Sequence, residues 1–176
     1  FDLALSANGV PSFPEVALDQ RRAMLDRMRT FAMSSVTRKA VLTALVVQLS
    51  DCDISECRRL FIGSSSSGCL DKAEFRRCLE GDEPVEGVDW DALFKALDTD
   101  ASGAIDYPEF VAAALDGAVA AQNAVLPSVF QLFDQDQDGV ISPQDMATIT
   151  PEAEVPKNGV DGFTVAAFQQ FLESGW

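Results

Sequence analysis

Apolar residues recur three and four positions apart on both sides of two short polar segments in the second half of the chain. Such spacing places side chains on one face of an amphipathic helix. The pattern therefore predicts an all-α fold in which helix, loop and helix occur twice in succession. The flanking apolar residues are Leu93, Phe94, Leu97, Phe110 and Leu115 around the first segment, and Val129, Phe130, Phe133, Met146 and Ile149 around the second.

The two polar segments, residues 98–109 and 134–145, are versions of one twelve-residue repeat. Each has side-chain oxygens at positions 1, 3, 5, 9 and 12, glycine at position 6 and isoleucine at position 8. Calcium takes six to eight hard oxygen ligands, and glycine readily adopts the positive φ of such a tight turn. We therefore expect one calcium ion in each loop. The candidate ligands, with a backbone carbonyl at position 7, are Asp98, Asp100, Ser102, Ala104, Asp106 and Glu109, and Asp134, Asp136, Asp138, Val140, Ser142 and Asp145.

The two loops differ at their last position. Glu109 is long enough to bind calcium through both carboxylate oxygens, whereas Asp145 is one methylene shorter. We expect loop 98–109 to be the better calcium site, and loop 134–145 to favour a six-coordinate ion such as Mg²⁺. Ile105 and Ile141 should each pair their loop with a neighbouring loop through a short β-bridge.

Two further segments resemble degenerate copies of the repeat. In residues 63–74 the glycine, leucine and glutamate of positions 6, 8 and 12 are kept, but positions 1, 3 and 5 are Gly63, Ser65 and Ser67. This loop should bind no ion and should pair with loop 98–109. Residues 158–168 resemble the end of a fourth loop, with no acid at position 12. The predicted organisation is an extension (1–14), a basic amphipathic region (15–50), a first loop pair (51–120) and a second loop pair (121–176).

The segment before the repeats, residues 15–49, combines apolar faces with a cluster of basic side chains. Its pattern predicts one long amphipathic helix, or two helices joined near Ser34 and Ser35. A basic amphipathic helix beside an acidic helix–loop–helix body is a typical target of calcium-loaded loops. The alternative is a helix that packs permanently on the first loop pair. The basic residues are Arg21, Arg22, Arg27, Arg29, Arg38 and Lys39.

Charge and composition narrow the possible functions. The net charge is −15 and there is no histidine, which excludes histidine catalysis and argues against nucleic acid or anionic membrane as a partner. The longest nearly apolar stretch, residues 40–49, is far shorter than the roughly 20 residues of a transmembrane helix. The four cysteines form no C-x-x-C pair, so reduced, buried thiols are expected. We expect a cytoplasmic protein that is not itself an enzyme, with membrane attachment through a missing N-terminal part left open.

The chain resembles the junction and calmodulin-like EF-hand domain of calcium-dependent protein kinases of plants and protists. The resemblance lies in the runs Leu25-Asp-Arg-Met28-Arg-Thr-Phe31 and Arg38-Lys39-Ala-Val-Leu42-Thr-Ala-Leu45, followed by four loops at this spacing. The resemblance implies that residues 15–49 inhibit a Ser/Thr kinase domain N-terminal to them. It also implies that the helix–loop–helix units bind this helix when calcium is present.

The first residue is Phe1, which fits a piece of a longer protein. No Gly-rich loop, H-R-D or D-F-G motif is present, so this chain cannot itself phosphorylate a substrate. Two alternatives stay open: a free-standing sensor that binds a basic helix of a partner, and a calcium buffer.

Overall fold

A computed structural model describes residues 16–50, 54–81, 83–115, 125–149 and 162–174. Those ranges contain nine helices and no strand beyond isolated bridges. The helices are α1 (Leu18–Ala32), α2 (Val36–Val46), α3 (Ser55–Ser64), α4 (Lys72–Glu80), α5 (Trp90–Leu97), α6 (Tyr107–Ala114), α7 (Leu126–Phe133), α8 (Pro143–Ile149) and α9 (Val165–Ser174).

The basic amphipathic region forms two helices, α1 and α2, and we call these two helices the arm. Of the two arrangements that the sequence left open, the structure has two separate helices and not one long helix. The break occurs because Ser35 adopts an extended conformation, and its hydroxyl accepts a hydrogen bond from the Arg38 amide. This is the N-cap geometry that starts a new helix.

The remaining helices form helix–loop–helix hands that associate in pairs. Hand 1 is α3 and α4, hand 2 is α5 and α6, hand 3 is α7 and α8, and hand 4 is represented by residues 162–164 and α9. Leu70 and Ile105 exchange backbone hydrogen bonds of 2.8 and 2.9 Å between hands 1 and 2. Ile141 and Phe163 do the same between hands 3 and 4. Both predicted bridges are confirmed.

Aromatic side chains fill the core of each pair. In the first pair, Phe75 packs edge-on against Trp90 and Phe94. In the second pair, the ring of Phe168 contacts those of Phe130, Phe133 and Phe163. A fully buried large apolar side chain contributes about 1.5–3 kcal/mol to stability, so these rings stabilise each pair of hands.

The arm packs on the hands through its apolar faces. Helix α1 contacts α4, α5 and α6, whereas α2 contacts α6 and α7. Helix α6, the exit helix of hand 2, therefore packs against both arm helices. The buried arm residues that form this interface are Met24, Leu25, Met28, Phe31, Val41, Leu42, Leu45 and Val46.

Three cysteines within the described ranges, Cys57, Cys69 and Cys78, form no disulfide. Burial raises the pKa of the Cys57 and Cys78 thiols to about 11. These two side chains therefore stay protonated and behave as small apolar groups. Within the same ranges, none of the helices has the length and apolar character needed to cross a lipid bilayer.

Candidate metal centres

The loop of hand 2 gathers three carboxylates around one point. Helix α5 ends at Leu97, and Asp98 takes the C-cap position. The two oxygens of Asp98 accept hydrogen bonds from the amides of Ser102 (2.9 Å) and Gly103 (3.0 Å), which wraps the loop around this carboxylate. Gly103 has φ +85°, the left-handed conformation that glycine adopts without strain.

Glu109 closes the same loop from the first turn of α6. Ligand oxygens of Asp98, Asp100 and Glu109 lie within 4.8 Å of one another. Glu109 is only 4% exposed, and its Oε1 accepts hydrogen bonds of 2.7 Å from both the amide and the hydroxyl of Thr99. Its Oε2 accepts from the Asp106 amide at 3.1 Å. Hard anionic oxygens gathered in this way match the ligand preference of calcium.

The loop of hand 3 has a different carboxylate group. Asp134, Asp136 and Asp138 bring ligand oxygens within 4.8 Å of one another. Asp145 does not join this group in the part of the chain that is described. Its Oδ2 accepts from the hydroxyl and amide of Ser142 (2.6 and 2.8 Å), and its Oδ1 accepts from the Gln135 amide (3.2 Å). The hydrogen bond from the Ser142 hydroxyl is the main reason that the pKa of Asp145 lies below its ordinary value.

The loop of hand 1 is two residues shorter than sequence reasoning predicted. Helix α3 runs on to Ser64, and the C-cap is Ser65, whose amide donates to the Phe61 carbonyl. Asp98 and Asp134 occupy this same C-cap position in the other hands. The loop therefore spans residues 65–74, and the prediction that it begins at Gly63 was wrong. Glycine and serine favour loops in isolation, which concealed the extra helical residues.

The oxygen atoms of this short loop accept hydrogen bonds from hydroxyl and amide groups of the same loop. The Ser65 hydroxyl accepts from the Gly68 amide and donates to the Cys69 carbonyl, both at 2.8 Å. Glu74 Oε1 accepts from the amide and hydroxyl of Ser66, and its Oε2 accepts from the Asp71 amide. The Ser66 hydroxyl is the largest cause of the lowered pKa of Glu74. The loop is thus closed by its own hydrogen bonds.

Hand 4 contributes a bridge and an exit helix. Phe163 pairs with Ile141, and the hydroxyl and carbonyl of Thr164 accept from the amides of Ala167 and Phe168 at the start of α9. The predicted remnant residues before Gly162, including Asn158 and Asp161, lie outside the described residues. Among the described residues, clusters of three acidic side chains with metal-binding spacing occur only in hands 2 and 3.

Comparison with protein families identifies the first pair and hand 3. Residues 66–117 match the family described as an EF-hand domain pair, and residues 128–149 match the family described as EF hand. The chain therefore contains EF hands in both pairs. Its EF hands make it a calcium-binding module, because EF-hand loops are built to hold calcium through oxygen ligands.

Several curated relatives of this chain are calcium-dependent protein kinases. Calcium-dependent protein kinase 5 of Plasmodium falciparum is 30% identical over 130 residues, which is 73% of this chain and 23% of the kinase. Calcium-dependent protein kinase 17 of Arabidopsis thaliana is 31% identical over 137 residues, 76% of this chain and 25% of the kinase. The chain thus spans about a quarter of the length of these curated relatives.

A crystal structure of the C-terminal domain of another protein aligns with 86% of this chain and 97% of its own. Its TM-score is 0.39 and its sequence identity is 21%.

Thr99 is a site residue that the sequence reasoning missed. Position 2 of an EF-hand loop is usually left out of ligand patterns, yet the Thr99 hydroxyl holds Glu109 at 2.7 Å. Ser66 holds Glu74 in the same way in hand 1. In hand 2 the available signal was the hydroxyl residue directly after Asp98. In hand 1 the signal was hidden, because the C-cap at Ser65 was not predicted.

Replacing Glu74 by glutamine should leave the number of bound calcium ions unchanged. The Glu74 oxygens already accept hydrogen bonds from loop donors, and among the described residues Glu74 belongs to no group of three acidic side chains with metal-binding spacing. Titration calorimetry should therefore give the same stoichiometry for Glu74→Gln and the wild type. Glu109→Gln, the same change at the equivalent position of hand 2, is the matched control. Loss of one ion in Glu74→Gln would show that hand 1 binds metal.

Proposed function

We propose that the chain is the calcium-sensing regulatory module of a Ser/Thr protein kinase, in which calcium rearranges the hands around the arm. The observation that carries the proposal is the position of α6. This helix contains Glu109, a candidate ligand, in its first turn, and it packs against both α1 and α2. A change at the loop of hand 2 therefore has a direct mechanical route to the arm.

The metal sites of the proposal are the two acidic loops. Calcium would supply a compact double positive charge that the clustered carboxylates share. Asp98, Asp100, Ser102, Asp106 and Glu109, with the Ala104 carbonyl, would hold it in hand 2. The equivalent residues in hand 3 are Asp134, Asp136, Asp138, Ser142 and Asp145, with the Val140 carbonyl. Asp145 is the weakest of these candidates, which would make the hand 3 loop the one more open to Mg²⁺.

Glu109 has two roles in this scheme. It is a candidate ligand, and it is also the third residue of α6, where its carboxylate accepts from the Asp106 amide while the Asp106 side chain accepts from the Glu109 amide. A shift of the Glu109 carboxylate towards the loop centre would break its hydrogen bond with the Asp106 amide at the start of α6, which gives calcium a way to reorient α6. For a sensor, calcium affinity should lie at a Kd of roughly 10⁻⁷ to 10⁻⁵ M.

The kinase domain of the proposal would lie N-terminal to the arm in the same polypeptide, which would be cytoplasmic. The named relatives support this part, since they are kinases about four times as long as the matched segment. The module would consist of an extension (1–14), the arm region (15–50), the first pair (51–120) and the second pair (121–176). Phosphorylation assays on the full-length polypeptide should show activity that rises with calcium.

Hydrogen exchange of the arm tests the module's own role. With Mg²⁺ present throughout, calcium should change the protection of α1 and α2 as well as that of the loops. The Glu109→Gln variant should lose most of the arm response and keep the response of hand 3. If calcium protects the loops while the arm is unchanged, the chain is a buffer and the proposal fails.

A further inference from the structure

Four basic side chains of the arm share one kind of partner. Each donates a hydrogen bond to a backbone carbonyl in the last turn of a hand helix, and each uses a different helix. The pairs are Arg21 with Cys78 of α4 (2.9 Å), Lys39 with Ala96 of α5 (3.0 Å), Arg27 with Ala114 of α6 (2.7 Å) and Arg38 with Phe171 of α9 (2.9 Å).

The chemistry of helix ends explains this pattern. The last four carbonyls of a helix have no intrahelical partner, and the helix dipole makes that end negative. A guanidinium or ammonium group both donates hydrogen bonds to these carbonyls and brings a positive charge to the negative end of the helix. Helices α6 and α9 have no basic residue of their own in the last turn, so the arm supplies the positive charge there.

Acidic side chains of the body, in contrast, make few contacts with the arm, one of which is the hydrogen bond that Glu56 accepts from the Gln20 side chain at 2.7 Å. Among the described residues, the one ion pair between arm and body joins Arg22 and Glu83 at 3.3 Å, with both side chains about 60% exposed. Arg29 pairs with Asp26 inside α1. Exposed pairs of this kind contribute about 0–1 kcal/mol. The negative charge of the body therefore does not by itself define how the arm is recognised.

We propose that the arm recognises the hands by capping helix C-termini, and that Arg38 couples the second pair of hands to the arm. This inference rests on the proposed function, of which it specifies the regulatory contact. Arg21, Arg27 and Lys39 all cap helices of the first pair, whereas Arg38 caps α9 of the second. Arg38 is 8% exposed, and it joins residues 133 positions apart in the chain.

The capped ends of the exit helices are well placed to report movement of a loop. In α4, α6 and α9 the capped carbonyl lies at the end far from the loop, where a pivot at the loop produces the largest displacement. An eight-residue helix such as α6 is about 12 Å long, so a 20° tilt moves its far end by about 4 Å. A hydrogen bond of 2.7–3.0 Å does not survive such a movement. Tilting driven by calcium would therefore break the hydrogen bonds by which the arm caps these helices.

Two variants that remove the same charge from the arm separate capping from general attraction. Arg38→Gln removes a cap, whereas Arg29→Gln removes an arginine whose ion pair lies within its own helix. In the full chain, with Mg²⁺ and without calcium, amide exchange in α2 and α9 should be about tenfold or more faster in Arg38→Gln, because a buried carbonyl loses a charged donor. Arg29→Gln should stay within about twofold of the wild type.

Arg27→Gln gives a second test that does not depend on a buried charge, since Arg27 is only half-buried. Its effect should appear in α1 and at the end of α6, and α9 should be unchanged. Equal acceleration by Arg29→Gln and the two cap variants would overturn the inference in favour of long-range attraction. Wild-type exchange rates in both cap variants would overturn it as well.

The two proposals fail in different ways. If calcium changes arm protection in the wild type but the cap variants behave like Arg29→Gln, the capping inference is wrong and the regulatory function stands. If the cap variants loosen the arm while calcium leaves the wild-type arm unchanged, the caps are structural and the regulatory function is wrong.

Discussion

Glu109→Gln is expected to weaken calcium binding in hand 2 by about two orders of magnitude, equivalent to about 2.8 kcal/mol. Glutamine has the size of glutamate but lacks the negative charge and the second anionic oxygen. Glu109 lies within the carboxylate group of Asp98 and Asp100, and it is only 4% exposed. The substitution therefore removes the charge of a candidate ligand and leaves the shape of the site almost unchanged.

Asp145→Asn is the matched substitution in hand 3, and it is expected to cost about tenfold or less. Asp145 does not join the group formed by Asp134, Asp136 and Asp138 among the described residues, and its oxygens already accept from Ser142 and Gln135. Competition titrations with a fluorescent calcium chelator, with Mg²⁺ present, give both affinities. A larger loss in Asp145→Asn than in Glu109→Gln would reverse the proposed ranking of the two sites.

Gly162→Ala is expected to destabilise the second pair by about 1–3 kcal/mol. A Cβ atom at this position would lie 2.5 Å from the Ile141 carbonyl oxygen and 2.6 Å from Val140 Cγ1. Since one of these atoms belongs to the backbone, the bridge between Ile141 and Phe163 has to shift. The loop of hand 3 should lose rigidity and calcium affinity, while the first pair keeps both.

Gly87→Ala is the control for this substitution, because a Cβ atom there meets no atom within 4 Å. Its φ of +74° still makes alanine unfavourable, at about 1–2 kcal/mol. Unlike Gly162→Ala, it should leave the exchange rate of the Ile141 amide unchanged. Slow, wild-type exchange of that amide in Gly162→Ala would show that the bridge tolerates the extra atom.

The sequence was sufficient to predict the hands because their determinants are local. Apolar residues at helical spacing, glycine at position 6 and isoleucine at position 8 predict helix, turn and bridge within a dozen residues. The bridges of Ile105 and Ile141 are present for this reason. The sequence marks Ser35 as a possible break, but it does not decide between one helix and two; the extended backbone of Ser35 and its cap hydrogen bond show that there are two.

Other features could not be predicted, for two physical reasons. Gly63 and Ser64 are helical against their intrinsic preference, so only the tertiary environment identifies the short loop of hand 1. The caps of the arm bind backbone carbonyls, which every residue possesses. Arg38 and Arg29 are therefore equivalent in the sequence, although one is buried against α9 and the other lies at the surface.

Calcium sensing by this chain requires that the two loops gather enough anionic oxygen to bind calcium. Calorimetric titration of the whole chain with calcium, in buffer containing Mg²⁺, tests it directly. We expect two ions per chain, the first bound by loop 98–109 with a Kd of roughly 10⁻⁷ to 10⁻⁵ M. A chain that takes up no calcium at millimolar concentration, or one whose tightest site survives Glu109→Gln intact, would contradict it.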